Sequence, residues 1–233
     1  MLLHSLFDLL SLLCGYLLST WFRRRYALER PAGISDPSQY HYYLIALLLG
    51  LVGGSVLFGS WNVWLSGQSG LAKSMLGGVF GAIVAAEGFK FFAGIRHSTG
   101  LYFVPGLIAL IVVGRIGCFL GGLADFTYGV PTNLPWGVDF GDGVARHPVQ
   151  LYESATMLLF LIGLLLHYPR QPQFWLRQGF YLFVLVYAAQ RFAWEFFKPY
   201  AAVFGSLNLF HLLSLGLIFY ALFMLKRSTH HAA

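Results

Sequence analysis

Seven stretches of this chain are apolar for long enough to cross a bilayer, and that narrows the possible folds more than any other feature. They cover roughly residues 2–22, 41–59, 71–93, 101–120, 149–168, 176–197 and 206–225, each near the ~17–25 residues a membrane helix needs. In hydrocarbon a segment has to satisfy its own backbone polar groups, so stretches of this kind form helices. The sequence predicts an all-α polytopic membrane protein: about seven transmembrane helices around a polar, lipid-accessible cavity, with one long structured outer loop. A single integral membrane domain is expected over residues 1–233. Charged residues are only 10% of the chain, against about 25% in a soluble domain, which leaves too little polar surface for water. The net charge of +6 then points to basic loops beside anionic lipid, and not to nucleic acid.

Basic residues assign the sides. Arg23, Arg24, Arg25, Arg30, Lys90, Arg96, Arg170, Arg177, Lys226 and Arg227 fall on one side of a seven-span arrangement, and Lys73, Arg146 and Lys198 on the other. This bias predicts an external N-terminus and a cytoplasmic C-terminus. The connection "ADFTYGVPTNLPWGVDFGDGVARHP" is then external, and its Pro, Gly, Asn and Asp predict a structured loop with a short hairpin. The first twenty residues lack a basic leader and a small-x-small cleavage site, so a retained first helix is expected. Cys14 and Cys118 both fall at membrane depth, and a disulfide between them is not expected.

The ionisable residues within spans carry the functional information, because a charge in lipid has to face a partner or a wet cavity. They include Asp8, Glu87, Arg115, Glu153, Arg191, Glu195 and His211. "VYAAQRFAWEFFKPY" sets Tyr187, Arg191 and Glu195 at i, i+4 and i+8, on one helical face. This is either an intrahelical salt bridge or an anion-binding arginine oriented by Glu195. Arg115, in "GRIGCFLGG", has no acid within four residues, so a lipid phosphate is an economical partner for its bidentate guanidinium. "RHPVQLYE", Arg146 to Glu153, opens the fifth helix with Pro148 in its first turn. His147, Gln150 and Glu153 face roughly one way there, as an ordinary helix start or as a polar cluster able to move a proton. Glu87 and Lys90 read as a pair near a helix end, His211 as a core histidine, Cys118 as a small packing residue, and Trp61, Trp64, Trp175 and Trp194 as interface belts. No metal-ligand cluster and no cofactor site is expected.

These motifs resemble the bacterial prolipoprotein diacylglyceryl transferase family. "GRIGCFLGG" is similar to its G-R-x-G-N-F-x-N-G-E signature and "RHPVQLYE" to its R-H-P-[ST]-Q-L-Y-E. "YAAQRFAWEFFKPY" resembles its late helix, and "MLGGVFGAIVA" its H-G-G-L-x-G segment. The resemblance covers most of the chain in the same order. It implies an enzyme of the bacterial inner membrane that moves the diacylglyceryl group of phosphatidylglycerol to the lipobox cysteine thiol of a preprolipoprotein, with glycerol phosphate leaving.

On that resemblance Arg115 would hold the phosphate, with Arg191 as a second clamp oriented by Glu195. His147 or Glu153 would supply the base, with Asp125 a weaker candidate. Gly114, Gly117, Cys118, Arg146, Gln150, Tyr152, Tyr187, Gly77 and Gly78 occupy motif positions and would line the substrate site. The chain departs from the family's pattern at Leu76, where the family has a histidine, and at Cys118, where it has an asparagine. It departs also near Leu123, in place of a glutamate, and near Leu6, where a tyrosine is expected. The alternative is a non-catalytic protein of the same fold that binds or senses anionic phospholipid.

Overall fold

The computed structural model describes residues 2–28, 34 and 36–230; Arg30, among the basic residues counted above, lies outside them. Among the described residues seven long helices follow one another: α1 (Leu2–Arg25), α2 (Pro37–Leu65), α3 (Met75–Phe92), α4 (Val104–Gly121), α5 (Val149–His167), α6 (Pro172–Glu195) and α7 (Leu209–His230). All but α6 are long and apolar enough to cross a membrane by length and composition. α6 carries Arg177, Arg191 and Glu195, which lowers its average without shortening it. The chain is a multi-pass membrane protein, as its spans predict.

Local chemistry sets the boundaries. Asp36 caps α2, its carboxylate accepting from the Ser38 amide at 2.8 Å, with Pro37 in the first turn, where no backbone donor is needed. α3 starts later than its apolar run, because Gly67 and Gly70 take positive φ of 73° and 130° and break the chain until Ser74 caps the helix by accepting from Gly77 N at 3.1 Å. At the start of α7, Asn208 Oδ1 accepts from His211 N at 3.0 Å and Asn208 N donates to His211 Nδ1 at 3.1 Å. His211 is therefore a buried capping residue.

The chain forms two compact units. The first comprises Met1–Leu28, Leu101–Trp175 and Gln190–Pro199. In it α4 packs between α1 and α5. Glycine permits the α1–α4 crossing: a Cβ on Gly15 would lie 3.0 Å from the carbonyl oxygen of Gly106. Ser154 Oγ on α5 donates to the carbonyl of Val112 on α4 at 3.0 Å. The expected outer loop contains an antiparallel pair, β1 (Val138–Asp139) with β2 (Ala145–Arg146). Between them Asp139 Oδ1 accepts from the amides of Gly141, Asp142 and Gly143. Arg146 donates twice to Asp142, at 2.7 Å each, and these bonds hold the Asp142 carboxyl below the usual carboxylate range.

The second unit comprises Glu29–Gly100, Leu176–Ala189 and Tyr200–Ala233. It contains a short hairpin, β3 (Ala202–Phe204) with β4 (Leu207–Asn208). Glu87 accepts from Lys90 at 2.9 Å and from Tyr220 at 2.8 Å, so the predicted pair has a third member from α7. Its α2 and α3 lie backbone to backbone, Gly54 and Gly50 against Gly77 and Gly81, as small residues allow in membranes. Gly54→Ala would drive a methyl into the Gly77 carbonyl, whereas Gly53→Ala meets nothing within 4 Å. We expect the first to cost about 1–3 kcal/mol of overpacking and the second to be neutral or slightly stabilising. Thermal unfolding in detergent measures both, and equal behaviour would contradict this packing.

Candidate functional site

The site is built from three segments of the first unit. The middle of α4 contributes Arg115. The first turns of α5 contribute Glu153, whose side chain is buried. The end of α6 and the residues beyond it contribute Arg191, Glu195 and Lys198. The helical repeat sets Arg191 and Glu195 on one face, and the turn after α6 brings Lys198 back to them, its amide donating to the Glu195 carbonyl at 3.2 Å.

Glu153 is the hub. Its Oε2 pairs with Arg115 Nε. Its Oε1 accepts from Arg191 at 2.5 Å and from Lys198 Nζ at 2.6 Å. Arg191 also pairs with Glu195, and Lys198 lies 3.7 Å from Glu195. All five residues are at least nine-tenths buried. Three cations thus converge on two carboxylates, and a further carboxylate, Asp125, lies nearby beside Cys118. An anion with several oxygens suits guanidinium forks.

The structure changes the account of Arg115 that its sequence neighbours suggest. It pairs with Glu153, 38 residues away in sequence, because α4 packs along α5. The pairing of Arg191 with Glu195, legible from i, i+4 spacing, is present. It is part of a network and not an isolated bridge, since Arg191 also holds Glu153. Lys198 reads from sequence only as a loop lysine that marks the outer side. The signal that finds it is its spacing of three from Glu195 and seven from Arg191.

The other predicted residues divide. Gln150, fully buried, donates to Thr127 Oγ1 at 3.3 Å, and Thr127 donates to Asp125 at 2.5 Å. Cys118 neighbours Arg115 and Asp125. Above the hub stands an aromatic wall. His147 lies edge-on to Phe197 at 4.8 Å. Tyr152 lies against Trp194 at 5.1 Å and accepts from Trp136 Nε1 at 2.8 Å. His147 Nδ1 is 3.5 Å from the Tyr152 hydroxyl.

Arg146 is tied to Asp142 and lies over the Tyr128 ring at 5.3 Å, so its guanidinium serves the loop. Gly114, beside Arg115, faces open space, while Gly117 admits Phe7 of α1. Gly77, Gly78 and Tyr187 belong to the second unit. There the two glycines meet α2, and the Tyr187 ring stacks on Phe183 at 5.9 Å. Leu76 is fully buried at the start of α3.

Comparison with known proteins gives a consistent result. The family model described as prolipoprotein diacylglyceryl transferase matches residues 4–227. Curated proteins named phosphatidylglycerol–prolipoprotein diacylglyceryl transferase are similar along nearly their whole length. One from Solidesulfovibrio magneticus is 32% identical, over 90% of this chain and 85% of its own. One from Nitratidesulfovibrio vulgaris is 31% identical over 93% and 88%, and one from Rhodospirillum centenum 30% identical over 94% and 86%. No solved structure matches the chain.

Proposed function

The chain belongs to the prolipoprotein diacylglyceryl transferase family, and from that premise we propose that it transfers the diacylglyceryl group of phosphatidylglycerol to the lipobox cysteine thiol of a preprolipoprotein. The observation that carries the proposal is the buried cluster of Arg115, Arg191 and Lys198 on Glu153 and Glu195. Two guanidinium forks and an ammonium in one buried cluster suit the phosphate of an anionic phospholipid. In the reaction the acceptor sulfur bonds to the glycerol carbon, the bond from that carbon to the phosphate oxygen breaks, and glycerol phosphate departs. Negative charge grows on the departing phosphate, and fixed cations in a dry site stabilise it as it forms.

Arg115 and Arg191 hold the phosphate. Glu153 and Glu195 orient them, and Lys198 adds the third positive charge. His147, at the outer edge beside Tyr152, takes the thiol proton on a ring nitrogen. Gln150, Cys118, Gly114, Gly117 and Tyr152 border the bound lipid. Arg146 acts from the outer loop, and Tyr187, Gly77 and Gly78 through the second unit. The protein sits in the bacterial inner membrane with its N-terminus outside and its C-terminus in the cytoplasm, in keeping with the bias of its Lys and Arg.

Purified protein in nanodiscs, given phosphatidylglycerol and a lipobox peptide, is expected to release glycerol phosphate only when the peptide is present. Retention of the lipid without release would make it a binding protein, the outcome that Leu76, in the place of the family's histidine, would explain. A second expectation separates binding from architecture. Replacing Arg191 and Glu195 together by methionine removes one charge of each sign, so stability should change little. Phosphate holding should be lost. A double variant with unimpaired turnover would reduce the pair to a structural bridge.

A further inference from the structure

One side-chain atom of the first unit is left over by the cluster. Gln150, in the first turn of α5, is fully buried, and its Oε1 has no hydrogen-bond partner among the described residues. Turning the amide round would not cure this. Thr127 Oγ1 donates to the Asp125 carboxylate at 2.5 Å, so its one hydrogen is committed and it can only accept from a further partner. Gln150 Nε2 donates to it at 3.3 Å, and the amide oxygen is left as the orphan. A buried acceptor without a donor is unfavourable in the empty fold. It marks a place that a hydrogen-bond donor completes.

Two helices fix where that place is. α4 runs into the outer loop and α5 starts from it. One turn toward the loop from Arg115 is Cys118, and one turn toward the loop from Glu153 is Gln150. Arg115 and Glu153 are paired. Cys118 lies within electrostatic reach of Arg115, Asp125 and Glu153, and Asp125 leads back to Gln150 through Thr127. The orphaned oxygen therefore belongs one helical turn from the phosphate clamp, on its outer-loop side. Asp125 and Thr127 are half-buried, so this end of the site opens toward the loop.

A diacyl phospholipid held by its phosphate points its acyl esters at the hydrocarbon and its head group at the loop. Ester and phosphodiester oxygens accept and cannot donate, so the donor has to come from the head group. Choline has none, and the glycerol of phosphatidylglycerol has hydroxyls. We infer that Gln150 Oε1 accepts a head-group hydroxyl of the donor lipid, with Thr127 and Asp125 holding the amide in the orientation that presents its oxygen. The site then prefers a polyol head group to one of equal charge without hydroxyls. The inference rests on the phosphate-clamp reading above.

The test offers the purified full chain, in phosphatidylcholine nanodiscs, phosphatidylglycerol or phosphatidylpropanol with the same acyl chains. The two lipids match in charge and in head-group length and differ in the hydroxyls alone. The wild type is expected to retain phosphatidylglycerol about tenfold better, the worth of one or two hydrogen bonds. Gln150→Met, of similar volume and without the oxygen, should retain both lipids about equally and should melt no lower than the wild type. Thr127→Val, which frees the amide to turn, should lose part of the preference.

A wild type indifferent to the hydroxyls would mean that water alone satisfies Gln150, and it overturns the inference without reference to any variant. A preference that persists undiminished in Gln150→Met or Thr127→Val overturns it too. In either case, retention that Arg115→Gln abolishes leaves the clamp standing. Retention of neither lipid, or retention that survives Arg115→Gln, overturns the phosphate clamp and this inference with it.

Discussion

Arg115→Gln is expected to lower peptide-dependent release of glycerol phosphate by about 100- to 1,000-fold, the loss that follows removal of one donor to a developing oxyanion. Its stability is expected to hold. In the variant Arg191 and Lys198 still hold Glu153 and Glu195. Structure and activity should therefore part company at this residue: unfolding in detergent unchanged, turnover nearly gone. Arg115→Lys should not restore the rate, because an ammonium has no planar fork to match two phosphate oxygens. Glycerol phosphate release is the measurement, with thermal unfolding beside it. Turnover in Arg115→Gln within a few-fold of the wild type would mean that Arg115 serves packing alone. A drop in stability equal to the drop in rate would give the same answer.

Much of the fold is legible in the amino-acid sequence, for definite physical reasons. The seven runs are visible because lipid forces each span to be apolar over a fixed length. The sixth is visible in spite of Arg177, Arg191 and Glu195, because its apolar residues continue on both sides of them. The outer hairpin follows from Gly141 and Gly143, whose positive φ of 100° and 80° ordinary side chains avoid. Within α6 the pairing of Arg191 with Glu195 can be read from spacing, since a helix brings i and i+4 together wherever it sits.

What cannot be read depends on which helices are neighbours. Arg115 looks solitary in the sequence because the residue that meets it is on α5, and nothing in a single sequence states that α4 packs along α5. Lys198 is hidden for another reason. The Pro that follows it suggests that the span has ended, which places its charge in a loop, when the chain in fact carries it back onto Glu153. The role of Gly77 and Gly78 also needs a partner to be known, because the same glycines fit a lipid site and a close contact with α2 equally well.

Glu153 should behave in the opposite way to Arg115, and the contrast is the strongest check on the cluster. Glu153→Gln removes the carboxylate on which Arg115, Arg191 and Lys198 all converge, so these buried cations lose a shared counter-charge. Removal of one member of a buried ion network is destabilising by about 3–5 kcal/mol, a large part of what holds a domain together. The variant is expected to accumulate poorly in membranes and to unfold at a much lower temperature. Adding Arg115→Gln to it removes one of the buried cations that Glu153→Gln deprives of this partner. The double variant should recover most of the lost stability while remaining inactive, and a coupling energy of that sign is what residues in direct contact produce. If Glu153→Gln were as stable as the wild type, the carboxylate could not be the hub on which the three cations converge.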